Sequence, residues 1–270
     1  MTARIWTVDA FADAPFSGNP AGVCLLEAPA SEAWMRAVAA EMNHSETAFL
    51  VPGAGANTFG LRWFTPLAEV ELCGHATLAS AHVLWTGGHV AKDRIIRFDT
   101  LSGPLAASSG DGGLIWLDFP SENGAPAALP EGIAEALGAT LKATHANRMD
   151  FLVEVEGEDD VLRCSPDMVR LRSMNCRGVI VTARSSREGV DFVSRFFAPA
   201  VGVDEDPVTG SAHCFLGPYW GAKLGRSSMT ARQVSRRGGT VQVRLDGERV
   251  RLGGRAVTIL RGEITCAPGA

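Results

Sequence analysis

No two of the six cysteines form a Cys-x-x-Cys pair; they stand apart at Cys24, Cys73, Cys164, Cys176, Cys214 and Cys266. That excludes the dithiol and zinc-ribbon spacings and reads as a reduced, cytoplasmic chain. A charged segment leading into an apolar core, the mark of a signal peptide, is also missing. So is any uninterrupted apolar run of about 18 residues, so no membrane span is expected. The formal net charge is −5 with both signs mixed along the chain, which leaves no basic face for nucleic acid or a lipid surface. What is present is ample apolar material: 270 residues, 46% hydrophobic, enough for one large core or two domains of roughly 130 residues. Small molecules are the expected partners.

The chain opens on an alternating β-branched and aromatic run, Ala3 to Asp9, suited to a half-buried strand. Gly18-Asn19-Pro20-Ala21-Gly22 follows as turn chemistry, either a plain connection or a loop that places the Asn19 amide in a cleft. Ser31 is placed to cap a helix with apolar positions Trp34, Met35, Val38, Ala39 and Met42. Ser45-Glu46-Thr47 then leads into the strand-like Ala48 to Val51. A carboxylate at such a boundary is a solvated charge unless the chain folds over it; if covered, Glu46 becomes suited to proton transfer.

Leu61 to Pro66 reads as a further strand, and Cys73-Gly74-His75-Ala76 opens a small-residue helix that stops at Gly87-Gly88. The amides at Gly74 therefore point out of a helix start, an arrangement that binds anions. His75 is either a structural histidine or a chemical one. Cys73, His75 and His82 are the residues a metal would have to use, but no metal-binding spacing accompanies them, so no metal is expected. Gly103 to Asp118 reads as a strand pair.

The second half repeats the first. Arg195-Phe196-Phe197-Ala198-Pro199 matches Arg62-Trp63-Phe64-Thr65-Pro66 at a separation of 133 residues, and Thr209-Gly210-Ser211-Ala212 aligns with Cys73-Gly74-His75-Ala76 after a small insertion. Such a duplication argues for two similar lobes, residues 1–123 (closed by the C-terminal segment) and 124–270, each a sheet around its own helix, with the two helix starts facing one cleft. Gly124 to Gly132 reads as a linker, Gly132 to Leu141 as a short helix, Leu152 to Val155 and Gly178 to Thr182 as strands, and Pro166 to Leu171 as a helical turn between them. Pro218 is expected to kink the second helix or to end it before a new one. Asp204-Glu205-Asp206-Pro207-Val208-Thr209-Gly210-Ser211-Ala212-His213 packs three carboxylates, a proline, two hydroxyls, a glycine and a histidine into ten residues, as a helix start or half of an active site.

Four motifs in order, Gly18-Asn19-Pro20-Ala21-Gly22, Ser45-Glu46-Thr47-Ala48-Phe49, Cys73-Gly74-His75-Ala76-Thr77 and Glu205 to His213, resemble the phenazine-biosynthesis PhzF-like family over nearly the whole chain. The resemblance implies an α+β, diaminopimelate epimerase-like fold of two pseudo-symmetric lobes, each a barrel-like, mostly antiparallel sheet around a central helix. It implies a homodimer, no cofactor, and an isomerase that moves a proton within a small carboxylate substrate. By position, Glu46 is the family's proton carrier, with His75, Asp206 and Ser211 assisting and Asn19, Ser45, Gly74, Thr209 and Gly210 on the substrate. Asp206 either orients His75 or bonds a substrate amine or hydroxyl. Two other functions are weighed. A two-thiol epimerase or racemase of this fold needs a second cysteine where Thr209 stands, which makes Cys73 a small buried residue rather than a base. A non-catalytic scaffold protein would be expected to have lost the polar constellation, and this chain keeps it.

Overall fold

The computed structural model describes residues 3–266. They divide into two compact units, residues 3–118 with 253–266, and Phe119–Leu252. The first unit begins with β1 (Ala3–Ala10), β2 (Asn19–Leu25), α1 (Glu32–Met42), β3 (Glu46–Pro52), β4 (Thr58–Phe64), β5 (Glu69–Val70), α2 (Gly74–Thr86), β6 (Ile96–Thr100), β7 (Gly103–Ser109) and β8 (Ile115–Pro120). Strands β1 and β2 pair antiparallel, β2 and β3 parallel, β3 and β4 antiparallel; β4 then takes β5 antiparallel and β6 parallel.

The second unit holds β9 (Ala125–Pro126), α3 (Ile133–Leu137), β10 (Leu141–Ala146), β11 (Asp150–Val155), α4 (Glu158–Arg163), α5 (Met168–Arg172), β12 (Gly178–Arg184), β13 (Phe192–Ala198), β14 (Val203–Asp206), α6 (Gly210–Leu224), β15 (Ser228–Gln233), β16 (Gly239–Asp246) and β17 (Arg249–Gly254). Its pairing has the same grammar. Strands β10 and β11 are antiparallel, β11 and β12 parallel, β12 and β13 antiparallel, and β13 takes β14 antiparallel and β15 parallel. The last strand, β18 (Ala256–Ile264), returns to the first unit and pairs antiparallel with β1.

The repeat extends to side chains. Arg62 holds Glu69 through Nε and Nη2 at 2.7 and 2.6 Å and lies over the Phe64 ring at 5.1 Å. Arg195 holds Glu205 through the same atoms at 2.7 and 2.9 Å and lies over Phe197 at 4.8 Å. A bidentate guanidinium–carboxylate pair fixes two strands in register as well as in proximity. Each short strand that follows, β5 or β14, is thereby pinned to the long strand before it.

Helix α2 is buried almost all round, which small residues permit: Ala76, Ala79, Ala81 and Ser80 are 0% exposed. Its hydroxyls are satisfied one turn back, Thr77 Oγ1 donating to the Cys73 carbonyl at 2.6 Å and Ser80 Oγ to that of Ala76 at 2.7 Å. The helix packs against β1, β2 and β3. Apolar side chains such as Phe49, Phe64 and Met35 fill the space between α1 and the sheet.

Several local expectations are corrected. Residues 19–22 are strand, not loop: the connection is residues 11–18, and its last residue, Gly18, sits at φ +68°, with a hypothetical Cβ only 2.2 Å from the Ala10 carbonyl oxygen. The 124–132 linker contains β9, paired with β10, and the short helix stops at Leu137, so Leu141 begins a strand. Of the two outcomes expected at Pro218, the break does not occur: helix α6 runs from Gly210 to Leu224 through it. The carbonyl that Pro218 cannot serve, that of Cys214, accepts the Glu122 N–H at 3.0 Å instead.

Inside α6, His213 is 0% exposed and its Nδ1–H donates to the Thr209 carbonyl at 2.8 Å, while Nε2 has no hydrogen-bond partner among the described residues. Burial pulls its pKa down to about 4, against a smaller upward effect of the Thr209 carbonyl. The unfolded chain therefore binds this proton first, and the contribution to stability is complete above about pH 6.5 and lost as the pH falls toward 4. The loss amounts to about 3 kcal/mol at most. Urea denaturation between pH 7 and 5 is expected to show a steep fall in stability in the native chain and a shallower one in His213→Gln, whatever the variant's stability at pH 7. An unchanged slope removes His213 from the acid-labile groups.

Candidate active site

Three elements of the first unit converge on one imidazole. His75 is the second residue of α2 and is 5% exposed. Glu46 opens β3, opposite Ala21 of the parallel neighbour β2, and Asn19 opens β2 itself, 0% exposed. Glu46 Oε2 stands 3.2 Å from His75 Nε2, with the glutamate side chain only 19% exposed. Asn19 Nδ2 stands 3.3 Å from His75 Nδ1, and Cys73 Sγ is 3.5 Å from the same nitrogen. An amide nitrogen only donates, so Nδ1 accepts, the ring proton is on Nε2, and it is given to Glu46.

Burial pulls the His75 pKa down to about 3, with His44 a second, smaller cause. The contact with Glu46 is therefore a hydrogen bond from a neutral ring, not an ion pair. That leaves Glu46 as a mostly covered carboxylate touching a donor that does not carry positive charge. His82, weighed with Cys73 and His75 as a metal ligand, is elsewhere: its Nε2 meets Thr258 Oγ1 at 3.0 Å. Ser45, half-buried, directly precedes β3.

The second unit builds its own polar cluster. Thr209 is the N-cap residue of α6, yet its hydroxyl does not cap; it donates to Asp206 Oδ2 at 2.5 Å. The Thr209 N–H is taken by Gln233 Oε1 at 2.9 Å, and Gln233 Nε2 donates to the Asp206 carbonyl at 2.7 Å. Gln233 is 0% exposed and so clamps residues 206–209 from the end of β15. Gly210 is buried and Ser211, next along the helix, is half-buried. In the first unit Cys73 is likewise an N-cap residue without a side-chain cap bond. Both helices thus begin with amides that their own cap side chains leave unsatisfied.

Registers fix which residues correspond. Thr47 faces Phe64 and Gly22, and Val179 faces Phe197 and Phe151, so Gly178 takes in the second unit the place that Glu46 has in the first. A Cβ on Gly178 would lie 2.4 Å from the Phe196 ring, which bars any side chain there. Trp63 faces Val70 as Phe196 faces Asp206, so Asp206 replaces an apolar residue. Thr209 stands for Cys73 and Ser211 for His75. The second unit has neither the carboxylate nor the thiol of the first.

Sequence reasoning passed over Gln233. Its only signal was a lone amide where an apolar-alternating strand meets Ser-Arg-Arg-Gly-Gly.

Comparison with known proteins gives the family and the fold. A family model described as phenazine biosynthesis-like protein matches residues 8–262. An uncharacterized isomerase of Halalkalibacterium halodurans is 48% identical over 265 residues, which cover 98% of this chain and 99% of the relative. The crystal structure of a PhzF-family phenazine biosynthesis protein from Enterococcus faecalis matches with a TM-score of 0.93 at 40% identity, covering 98% of this chain and 100% of that one. A hydroxyproline epimerase from Agrobacterium vitis, at a TM-score of 0.63 and 12% identity over 97% of this chain and 92% of that one, shares the fold. The chain belongs to the phenazine biosynthesis-like (PhzF) family, has the diaminopimelate epimerase-like fold, and is an isomerase.

Proposed function

We propose that the protein moves a proton between two carbons of a small carboxylate substrate without a cofactor, and that Glu46 is the single acid and base. The observation that carries this reading is the Glu46 carboxylate held 3.2 Å from the Nε2–H of a buried, neutral His75. Glu46 takes a proton from a carbon acidified by a neighbouring double bond and returns it elsewhere on the same face. The Nε2–H of His75 keeps the carboxylate aimed, and Asn19 keeps the ring in the tautomer that allows this. The amides at Gly74 and Gly210 suit a substrate carboxylate or an enolate-like charge. Asp206 and Ser211 are assigned to the substrate's polar groups, with Thr209 and Ser45 beside them. Thr209 donates to Asp206 Oδ2 within the second unit, which fixes that carboxylate beside the start of α6.

Epimerisation by two bases is disfavoured by the broken symmetry. Where a second base would stand, the second unit has Gly178 in the place of Glu46 and Thr209 in the place of Cys73, and an alkyl hydroxyl is a very poor base.

A substrate found by thermal-shift screening of cyclic and amino carboxylates gives the test. In deuterated water, Glu46→Gln is expected to lose deuterium incorporation by about 10²–10⁴-fold, the usual worth of a general acid–base group. Incorporation at the native rate removes Glu46 from its role. A second expectation separates one base from two. With substrate deuterated at the donor carbon and ordinary water as solvent, one carboxyl carrying the label returns part of it to the acceptor carbon. Complete washout, with inversion at a single carbon, would support two bases instead.

A further inference from the structure

The sheet faces under α1 and α4 correspond, but they are not covered alike. In the second unit Val181 and Ala183 of β12 and Val193 of β13 are 0% exposed, clustered with Val161 of α4, Leu171 of α5 and Ile133 of α3. By register, Phe49 and Val51 of β3 and Gly60 of β4 hold the same places in the first unit. Only α1 lies between β2 and β3, where α4 and α5 both lie between β11 and β12. Met35, Val38 and Ala39 of α1 cluster with Phe49, and a groove of about 460 Å³ is left beside them, lined among others by Met35, Phe49, Val51, Gly60, Arg62 and Leu101. Gly60 helps to open it: a Cβ there would meet nothing nearer than the Val51 carbonyl oxygen at 3.9 Å, and its φ lies outside the left-handed region.

The paired arginines differ in the same way. Arg195 gives Nε and Nη2 to Glu205 and donates from Nη1 to the carbonyls of Val161 and Cys164, at 3.3 and 2.5 Å, where α4 ends. Arg62 gives Nε and Nη2 to Glu69, but its Nη1 has no hydrogen-bond partner among the described residues. The second unit thus shows what this place holds when it is filled: a branched aliphatic side chain on the sheet, and neutral carbonyl oxygens on the guanidinium. Charge argues for the same occupant. Arg62 already has Glu69 at 2.6 Å and Glu32 at 3.7 Å, and Asp99 stands in the groove wall. A ligand carboxylate would meet three carboxylates for one guanidinium, whereas a neutral carbonyl oxygen would take the vacant donor without that repulsion.

We propose that this groove binds a small, uncharged, apolar molecule that carries one carbonyl group, such as an aliphatic amide, ester or ketone. Its hydrocarbon part lies over Phe49, Val51 and Gly60, and its carbonyl oxygen accepts from Arg62 Nη1. The volume and the mostly apolar lining with one placed donor are those of a small-molecule site. The groove shares no residue with the candidate active site, and the proposal does not depend on the isomerase chemistry.

Hexanamide, hexanoate and hexylammonium form a matched set of probes for the full chain at pH 7. Hexanamide is expected to bind saturably at one molecule per chain and to shift the backbone amide resonances of residues 49–51, 60–62 and 101. Hexanoate is expected to bind at least about tenfold more weakly, because its charge loses water beside three carboxylates, and hexylammonium more weakly too, because it offers Arg62 no acceptor. Gly60→Leu, which fills the groove and leaves Arg62 and Glu69 in place, is expected to abolish the hexanamide shifts while urea denaturation shows the fold retained. The amide shifts in the native chain locate the site even if that variant fails to fold. No saturable hexanamide binding, shifts confined to other residues, or undiminished binding by folded Gly60→Leu overturns the site. Equal or tighter binding of either charged probe overturns the neutral-carbonyl assignment, and a dimer that Gly60→Leu dissociates would give the groove to a second copy of the chain instead.

Discussion

The hydrogen bond from His75 Nε2 to Glu46 ties the start of a buried helix to the start of a strand, and much of the first unit exists to keep those two starts together. Glu46 cannot be moved along β3, because β3 is registered on one side with β2 and on the other with β4. His75 cannot turn away, because α2 is enclosed on nearly every face and the ring's other nitrogen meets Asn19. Asn19 in turn is placed by a turn that only glycine can make at position 18. A slip of one residue in any strand would turn its side chains to the opposite face of the sheet.

Duplication supplied the frame, and divergence at a handful of corresponding positions supplied the chemistry. The Arg–Glu clamps, the strand pairings and the uncapped helix starts are common to both units. Glu46 against Gly178, His75 against Ser211, Cys73 against Thr209 and Val70 against Asp206 are not. Phe196 explains why the first difference is fixed: its ring occupies the space a side chain at 178 would need. Asp206 shows the reverse case, a carboxylate placed where the other unit keeps valine, and held by Thr209 and Gln233.

Much of this was legible in the sequence. The strand–helix–strand order, the capped helix from Glu32, the buried helix from Gly74 and the repeat of Arg62 to Pro66 at Arg195 to Pro199 all follow from period, caps and turn residues. What escaped depends on long-range partners. Asn19 and Pro20 carry turn chemistry but are strand, since β1 supplies the neighbours that hold them extended. Pro218 looks like a helix breaker until Glu122, far away in sequence, takes the carbonyl it leaves. Gln233 looks like a strand end until the backbone of Asp206 and Thr209 is brought against it. The motifs named the candidate residues; only the fold shows that Glu46 and His75 touch.

Cys73 changes most between sequence and structure. As a sequence position it is a small residue at a helix start, to be compared with a thiol base that lacks its counterpart. In the fold its sulfur lies against the same ring as the carboxylate proposed to carry the proton, but at the other nitrogen, 3.5 Å from Nδ1. A serine or alanine would fit a helix start equally well, and threonine does so at 209. The thiol adds no capping bond and, with one unit lacking its partner, no second base. What it does add is a polarizable sulfur 3.5 Å from His75 Nδ1, the nitrogen that Asn19 also meets. The ring that aims Glu46 from Nε2 is thus held at Nδ1 by an amide from the start of β2 and a thiol from the start of α2, so the proton carrier's position depends on three separate elements.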